Sequence, residues 1–479
     1  MPKDENAVQE CRLLIGGEWV SGAETFPVKD KFTGETVAQA HKPSRAQVAE
    51  AVRCAKDAFA ARPVGAQERY ALLSAAAGLL DERREAFVQS ITADTGFTTS
   101  DAAGEVARAQ QTLILSAEEA KRIHGEMVPV ETAPGQAMRM GYTIRVPVGV
   151  VCAITPFNSP LNTVLHKIAP ALAAGNAVVL KPAPQTPITA ALLCGMLIDA
   201  GTPPGYLTLV NGDEDVGGWL LEEPDISFYT FTGSTRVGRI IQEGAGLRRT
   251  QLELGNVSGT IVCADADFDH AVPRIVNAAF RKAGQVCTSV QRLYVAEPIV
   301  DALVERLVAE TKTRKVGDPR DPDTFVGPMI DIAEAERAEA WVTEAIDQGA
   351  RLAVGGTRDG VLFQPTILIG VEASMRVVCE EIFAPVLSIL PFRSLDEAID
   401  RVNATEYGLA AGIFTADINT AMKAAKTLRV GGVHINDTSS SRVDLMPYGG
   451  VKDSGHGREG PKYAIQEMTE ERMVTISLY

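Results

Sequence analysis

The sequence predicts an α/β protein built on parallel sheets, and three observations predict it. From residue 149 to about 255, short apolar runs alternate with helical periodicity, the rhythm of a parallel sheet with helices on both faces. A second series of the same kind begins near Thr260. Two β-like segments, 127–147 and the C-terminal tail, have no sheet of their own to join.

Taken in order, residues 13–20 read as a hairpin around Gly16-Gly17, and 31–38 as another around Thr33-Gly34. Ser44 and Gln47 have capping-box spacing, so the Ala-rich run to Ala61 is a helix. Segments 66–80, 83–94 and 103–124 carry helical spacing. Pro and Gly interrupt 127–140, and 142–146 is a strand stopped by Pro147. The first sheet then takes strands from 149–154, Ala177–Lys181, 207–211, 226–230 and 251–254. Its helices are 161–174, 187–200 and one opening near Val237. The second takes strands from 259–263, 293–295, Val386–Phe392 and 412–414, with helices at 271–280, 299–312, 331–348, 394–404 and 418–428. The isolated apolar tail, 473–478, must pair elsewhere, and the 127–147 arm is the candidate.

At 479 residues the chain exceeds one compact core. Lys+Arg 46 against Asp+Glu 61 gives a net charge of −15, with no general footprint for nucleic acid. The seven cysteines form no CxxC pair and the six histidines no HExxH, so neither a disulfide framework nor a metal site is expected. No membrane-spanning run or apolar leader is evident, and a cytoplasmic protein is the expectation.

Cys287, in Ala-Gly-Gln-Val-Cys-Thr-Ser, follows Gly284 at a turn where a helix could begin, and helix amides favour a thiolate. The other six cysteines read as small buried hydrophobes or lack such a setting. Glu253, between leucines at a strand end, is placed for a raised pKa and general-base work. Asn158, rigidified between two prolines, can donate to an oxyanion. Phe-Thr-Gly-Ser-Thr-Arg-Val-Gly at 231–238 lets backbone and a helix N-terminus approach a phosphate through Gly233 and Ser234, although it is not GxGxxG. Lys181, ending a strand, can reach ribose hydroxyls.

These pieces, with Glu-Glu-Ile-Phe-Ala-Pro at 380–385, Pro-Tyr-Gly-Gly-Val-Lys-Asp-Ser-Gly at 447–455 and 34 residues between Glu253 and Cys287, resemble the aldehyde dehydrogenase superfamily from about Leu13 to Thr475. The resemblance implies that fold: a Rossmann-like cofactor domain (1–125 and 148–255), an α/β catalytic domain (256–455), and an oligomerisation arm and tail (126–147 and 456–479). It implies an NAD(P)-dependent oxidation of an aldehyde to its acid. Cys287 would form a thiohemiacetal, Asn158 and the Cys287 amide would hold its oxyanion, and Glu253 would activate water on the thioester. Lys167 and Glu459 would relay the base's proton, or simply brace the fold. Thr155, Pro156, Phe157, Lys181, Ala183, Pro184, Gly233, Ser234, Leu254, Gly255, Glu381 and Phe383 match positions around the cofactor, NAD or NADP. A homodimer or homotetramer is implied, because arm and tail would expose unpaired edges in a monomer.

Three departures stand out. Asn256 replaces a usual Gly, Ala384 replaces a Gly found in many members, and Pro184 stands where many NAD-preferring members place a Glu. NADP is therefore expected to be accepted. The tail resembles branches acting on small hydroxylated or anionic aldehydes, whereas Ser159 and Val286 depart from the phosphonoacetaldehyde type. Arg442, in the polar 436–446 loop, Arg108 and Ser159 are the candidate substrate contacts, unless Arg442 pairs with Asp444 or the arginines brace loops. An aromatic-aldehyde dehydrogenase and, because such enzymes generally lack the base, more remotely a CoA-acylating one are the alternatives. A non-catalytic protein on the same fold should show decay of Cys287, Glu253 and Asn158, and all three are present.

Overall fold

The computed structural model describes residues 9–478; the first eight residues, part of the polar N-terminus on which the no-leader expectation rests, lie outside the described residues. Five parallel strands, Arg249–Glu253, Ile226–Thr232, Val150–Ile154, Ala177–Lys181 and Leu207–Leu209, lie side by side in that order. Their apolar runs are buried on both faces, because helices Arg45–Ala61, Asn162–Ala174 and Pro187–Asp199 cover them. Antiparallel strands close the two edges: Gly455–His456 beside Arg249–Glu253, and the Leu13–Ile15/Glu18–Val20 hairpin beside Leu207–Leu209. The Ser44 capping box is present as the spacing predicts.

A second sheet of seven strands runs Arg351–Val354, Thr366–Ile369, Val386–Phe392, Arg292–Ala296, Gly259–Val262, Ala410–Phe414, Gly432–Ile435. The arm is a third sheet. Thr469–Ser477 pairs antiparallel with Arg139–Pro147 over nine residues, and Met127–Val128 joins the far side. The tail therefore pairs where its isolation predicts.

Some elements differ from the sequence expectation. The second hairpin keeps its turn, but its first strand is Glu24–Lys29, because the Asp30 carboxylate accepts the Phe32 and Thr33 amides and makes 31–34 the turn. The long helix spans Thr99–Ala120, its start set by Thr98 accepting the Asp101 amide. Helix Glu214–Glu222, with two glycines inside it, gave no periodic signal. Segment 456–468 does not go with the arm: Pro461–Glu467 is a helix, and Ile465 and Met468 enter the core of the first sheet.

Candidate active site

The parallel strands of the first sheet deliver their carboxyl ends to one cavity of about 890 Å³ between the two sheets. Thr155–Asn158 follow one strand, Lys181 ends the next, Gly233 and Ser234 follow a third, and Glu253 ends a fourth. That is where an open α/β sheet places ligands, since the chain must turn there and its side chains face outward. Every residue expected to contact cofactor or substrate lines this cavity, together with Cys287, Glu253 and Asn158. Lys167 and Glu459 lie behind its wall.

Cys287 sits on an irregular loop between the 281–284 turn and strand Arg292–Ala296, and no helix begins there. This corrects the expectation of a thiolate favoured by helix amides. Burial and the nearby Glu253 carboxyl push the thiol well above its ordinary pKa, so the resting group is a thiol. The loop is set by three consecutive residues with positive φ: Lys282, Ala283 and Gly284. At Gly284 a Cβ would stand 2.2 Å from the Ala384 carbonyl, so only glycine fits. Lys282 is held in this conformation by its buried amine, which donates to Glu105 at 2.7 Å and to the Asn158 carbonyl at 2.9 Å. Glu105 in turn accepts the Leu161 and Asn162 amides and the Ser159 hydroxyl. One Asn158 amide proton goes to the Gln285 carbonyl at 2.9 Å, and the amide's second N–H remains for an oxyanion.

Glu253 is buried, and one carboxylate oxygen has no hydrogen-bond partner within the described chain. Desolvation, reinforced by the Glu459 charge, pushes it up to about 8, against the opposing pull of Lys167 and Arg442. Such a carboxyl can hold or take a proton near neutrality. Behind it, Lys167 donates to Glu459 at 2.8 Å and to Thr230 at 3.2 Å. Glu459, held between Lys167 and Arg442, stays well below the usual carboxylate range.

Toward the cofactor end, the Glu381 carboxylate accepts the Asn256 amide at 3.0 Å and passes 2.8 Å from where a Cβ on Gly255 would be. Any side chain at 255 would displace it. Phe383, itself at positive φ, packs edge-to-face on Phe157 at 5.9 Å. Two features suit a dinucleotide. The Thr155 hydroxyl is buried without a partner among the described residues, and the Lys181 amine faces the cavity with one long contact there, 3.4 Å to the Pro182 carbonyl. No carboxylate occupies 184. Asp213 and Asp215, which also line this end, are bridged by Lys42 at 3.0 and 3.5 Å.

At the substrate end Arg108 and Arg442 line the cavity as expected of candidate contacts, but each has a carboxylate partner, in keeping with the bracing alternative. Arg108 makes a two-point contact with Asp444, at 2.7 and 3.1 Å. Arg442 pairs with Glu459 at 2.9 Å, not with Asp444, and lies over the Tyr448 ring. Ser159 spends its hydroxyl on Glu105. The cation left at this end without a carboxylate in direct contact among the described residues is Arg281, whose guanidinium donates to Ser440 at 2.8 Å. Its sequence signal, an Arg six residues before Cys287, went unread because spacing alone does not show which arginines find partners.

The sequence pattern of the aldehyde dehydrogenase family matches residues 19–474. The chain belongs to the aldehyde dehydrogenase family. It is 50% identical to a 3-sulfolactaldehyde dehydrogenase of Priestia aryabhattai, over 98% of this chain and 99% of that one. It is 39% identical to a lactaldehyde dehydrogenase of Methanocaldococcus jannaschii, over 97% and 100%. Among solved structures, aldehyde dehydrogenase 21 of Physcomitrella patens in complex with the reaction product succinate superposes with a TM-score of 0.96, at 35% identity, covering 98% of this chain and 99% of that one. Membership accounts for the shared fold, and for motifs hundreds of residues apart meeting in one cavity.

Proposed function

We propose that this aldehyde dehydrogenase oxidises a short, anionic or hydroxylated aldehyde to its carboxylic acid, using either NAD or NADP. The observation that carries the substrate class is Arg281: a cation in the cavity wall, near Cys287, with a hydroxyl partner and, among the described residues, no carboxylate in direct contact, the Asp101 charge acting on it only from farther off. Burial weakens its hold on charge despite the Asp101 charge, so an anionic substrate group would supply a direct partner. The names of the relatives, sulfolactaldehyde and lactaldehyde dehydrogenase, point to the same class.

In this reading Glu253 takes the Cys287 thiol proton, and sulfur attacks the aldehyde carbon. The free Asn158 N–H stabilises the oxyanion as it develops. The bound nicotinamide dinucleotide supplies the hydride acceptor. Glu253 then removes a proton from the water that attacks the thioester, and Cys287 leaves as thiolate. Lys167 and Glu459 set the field under which Glu253 exchanges its proton with solvent. Thr155, Lys181, Ser234 and Glu381 hold the dinucleotide, and Pro184 with Lys181 leaves room and charge for a 2′-phosphate. The unpaired outer edge of Thr469–Ser477 fits a second copy of the chain, giving a dimer or a tetramer of dimers.

The test is an aldehyde panel of equal chain length, sulfonated, carboxylated, 2-hydroxylated, plain aliphatic and aromatic, assayed with each cofactor by initial rate. Highest kcat/KM on a sulfonated or carboxylated member is expected. A parent enzyme fastest on benzaldehyde would overturn the substrate class. Acid formation that requires CoA would overturn the hydrolytic step.

A further inference from the structure

Tyr448 stands directly against the reacting sulfur; it lies in the 447–455 motif, where the sequence assigns its side chain no role. Its hydroxyl lies 3.3 Å from Cys287 Sγ and has no other hydrogen-bond partner among the described residues. Its ring is almost wholly buried, and the Arg442 guanidinium lies over it 3.8 Å from the centroid. Its backbone is pinned as well: Tyr448 and Glu459 exchange both amide–carbonyl bonds, at 3.1 and 2.7 Å. Arg442 bonds the Glu459 carboxylate at 2.9 Å, so the three residues form a closed frame that holds the phenol O–H against Cys287 Sγ.

We propose that Tyr448 is a catalytic hydrogen-bond donor that stabilises the Cys287 thiolate, with Arg442 acting through the Tyr448 ring as its positioning residue. This rests on Cys287 being the nucleophile. The thiolate has to form at a half-buried place in the cavity wall facing two carboxyl groups, Glu253 and Glu381. Desolvation and like charge both oppose it. The groups facing it that favour the charge are the Tyr448 hydroxyl, Arg442 and, by charge alone, Arg281; of these Tyr448 is the one within hydrogen-bond distance of the sulfur. A donor to an anionic sulfur makes a charge-assisted bond, stronger than the same bond to the neutral thiol, so it lowers the cost of ionisation. A guanidinium over the ring face draws electron density from the phenol and makes its O–H a better donor. The proton balance is simple. On attack the thiol proton goes to the Glu253 carboxylate, the C–S bond forms, and Tyr448 keeps its own proton. On hydrolysis the C–S bond breaks, and the leaving thiolate again accepts from Tyr448.

Tyr448→Phe removes the donor and keeps the ring beneath Arg442. The full-length enzyme is alkylated with iodoacetamide from pH 6 to 10, following the Cys287 peptide by mass spectrometry so that the exposed Cys379 does not interfere. Below the midpoint the alkylation rate at each pH should slow about tenfold, the equivalent of a midpoint raised by about one unit. Aldehyde kcat/KM should fall in proportion, with cofactor affinity unchanged. An unchanged midpoint and rate overturn the proposal while leaving Cys287 as nucleophile. Alkylated Cys287 with full activity overturns both. Should the Phe variant not fold, replacing tyrosine throughout by 3-fluorotyrosine, a stronger phenolic donor, must lower the midpoint; a midpoint that stays put overturns the role of Tyr448.

Discussion

Replacing Glu253 by Gln should abolish turnover and, at alkaline pH, stabilise the protein. A carboxyl whose pKa is higher folded than unfolded binds more protons when folded, so its contribution to stability is lost as pH rises from about 4.5 to about 8. Above that range the folded chain carries the full cost of a buried charge, while Gln never titrates. At about 1.4 kcal/mol per tenfold change in equilibrium, that interval bounds the effect at about 5 kcal/mol, and local relaxation would reduce it toward about 2 kcal/mol. An unfolding entropy of about 2.1 cal/mol/K per residue makes the whole chain's roughly 1 kcal/mol/K, so about 2–5 °C of Tm is at stake. Thermal melts of parent and variant at pH 5 and pH 9 read this, because titrations common to both cancel in the difference. The variant should gain over the parent only at pH 9. Because Gln can neither take the Cys287 proton nor activate the hydrolytic water, rapid mixing should show reduced cofactor forming only slowly, with no fast burst and no parent-like steady turnover. The reasoning is refuted by an equal Tm difference at both pH values, or by parent-like steady turnover at saturating substrate.

Other outcomes follow from the same site. Cys287→Ala should lose oxidation altogether while retaining dinucleotide binding by fluorescence titration, and full turnover would remove Cys287 as nucleophile. Arg281→Met should raise KM for a sulfonated or carboxylated aldehyde about 10–100-fold, the scale of one charge-assisted bond; an equal loss on a plain aliphatic aldehyde of the same length would assign Arg281 to structure. Pro184→Glu should move cofactor preference toward NAD by roughly 1–3 kcal/mol, since a carboxylate there binds ribose hydroxyls and repels a 2′-phosphate; a parent that already rejects NADP a hundredfold would refute this. Lys282→Met strands the buried Glu105 and should cost about 3–5 kcal/mol in urea unfolding, with part recovered by adding Glu105→Gln; strict additivity of the two would show that they are not coupled.

Much of the fold is readable along the chain because its signals are local. A strand buried on both faces must be a continuous apolar run, as in Ala177–Lys181, and a capping box needs only Ser44 and Gln47. The motif residues fall at strand ends, so a parallel sheet brings them to one edge whatever the details of packing. Where local signal is weak the reading failed: Glu214–Glu222 carries two glycines in nine residues, and Gly432–Ile435 is short and incompletely buried. The arrangement of charge was decided only by the tertiary structure. Arg108 and Asp444 stand 336 positions apart, and Lys167 and Glu459 stand 292 apart. No spacing rule selects those partners, so the sequence could name Arg442 and Arg108 as candidate anion binders but could not reveal that both are already paired. The protonation of Cys287 and Glu253 belongs to the same class. Desolvation is a property of everything packed around a group, and the chain acquires it only when its two sheets close over the cavity.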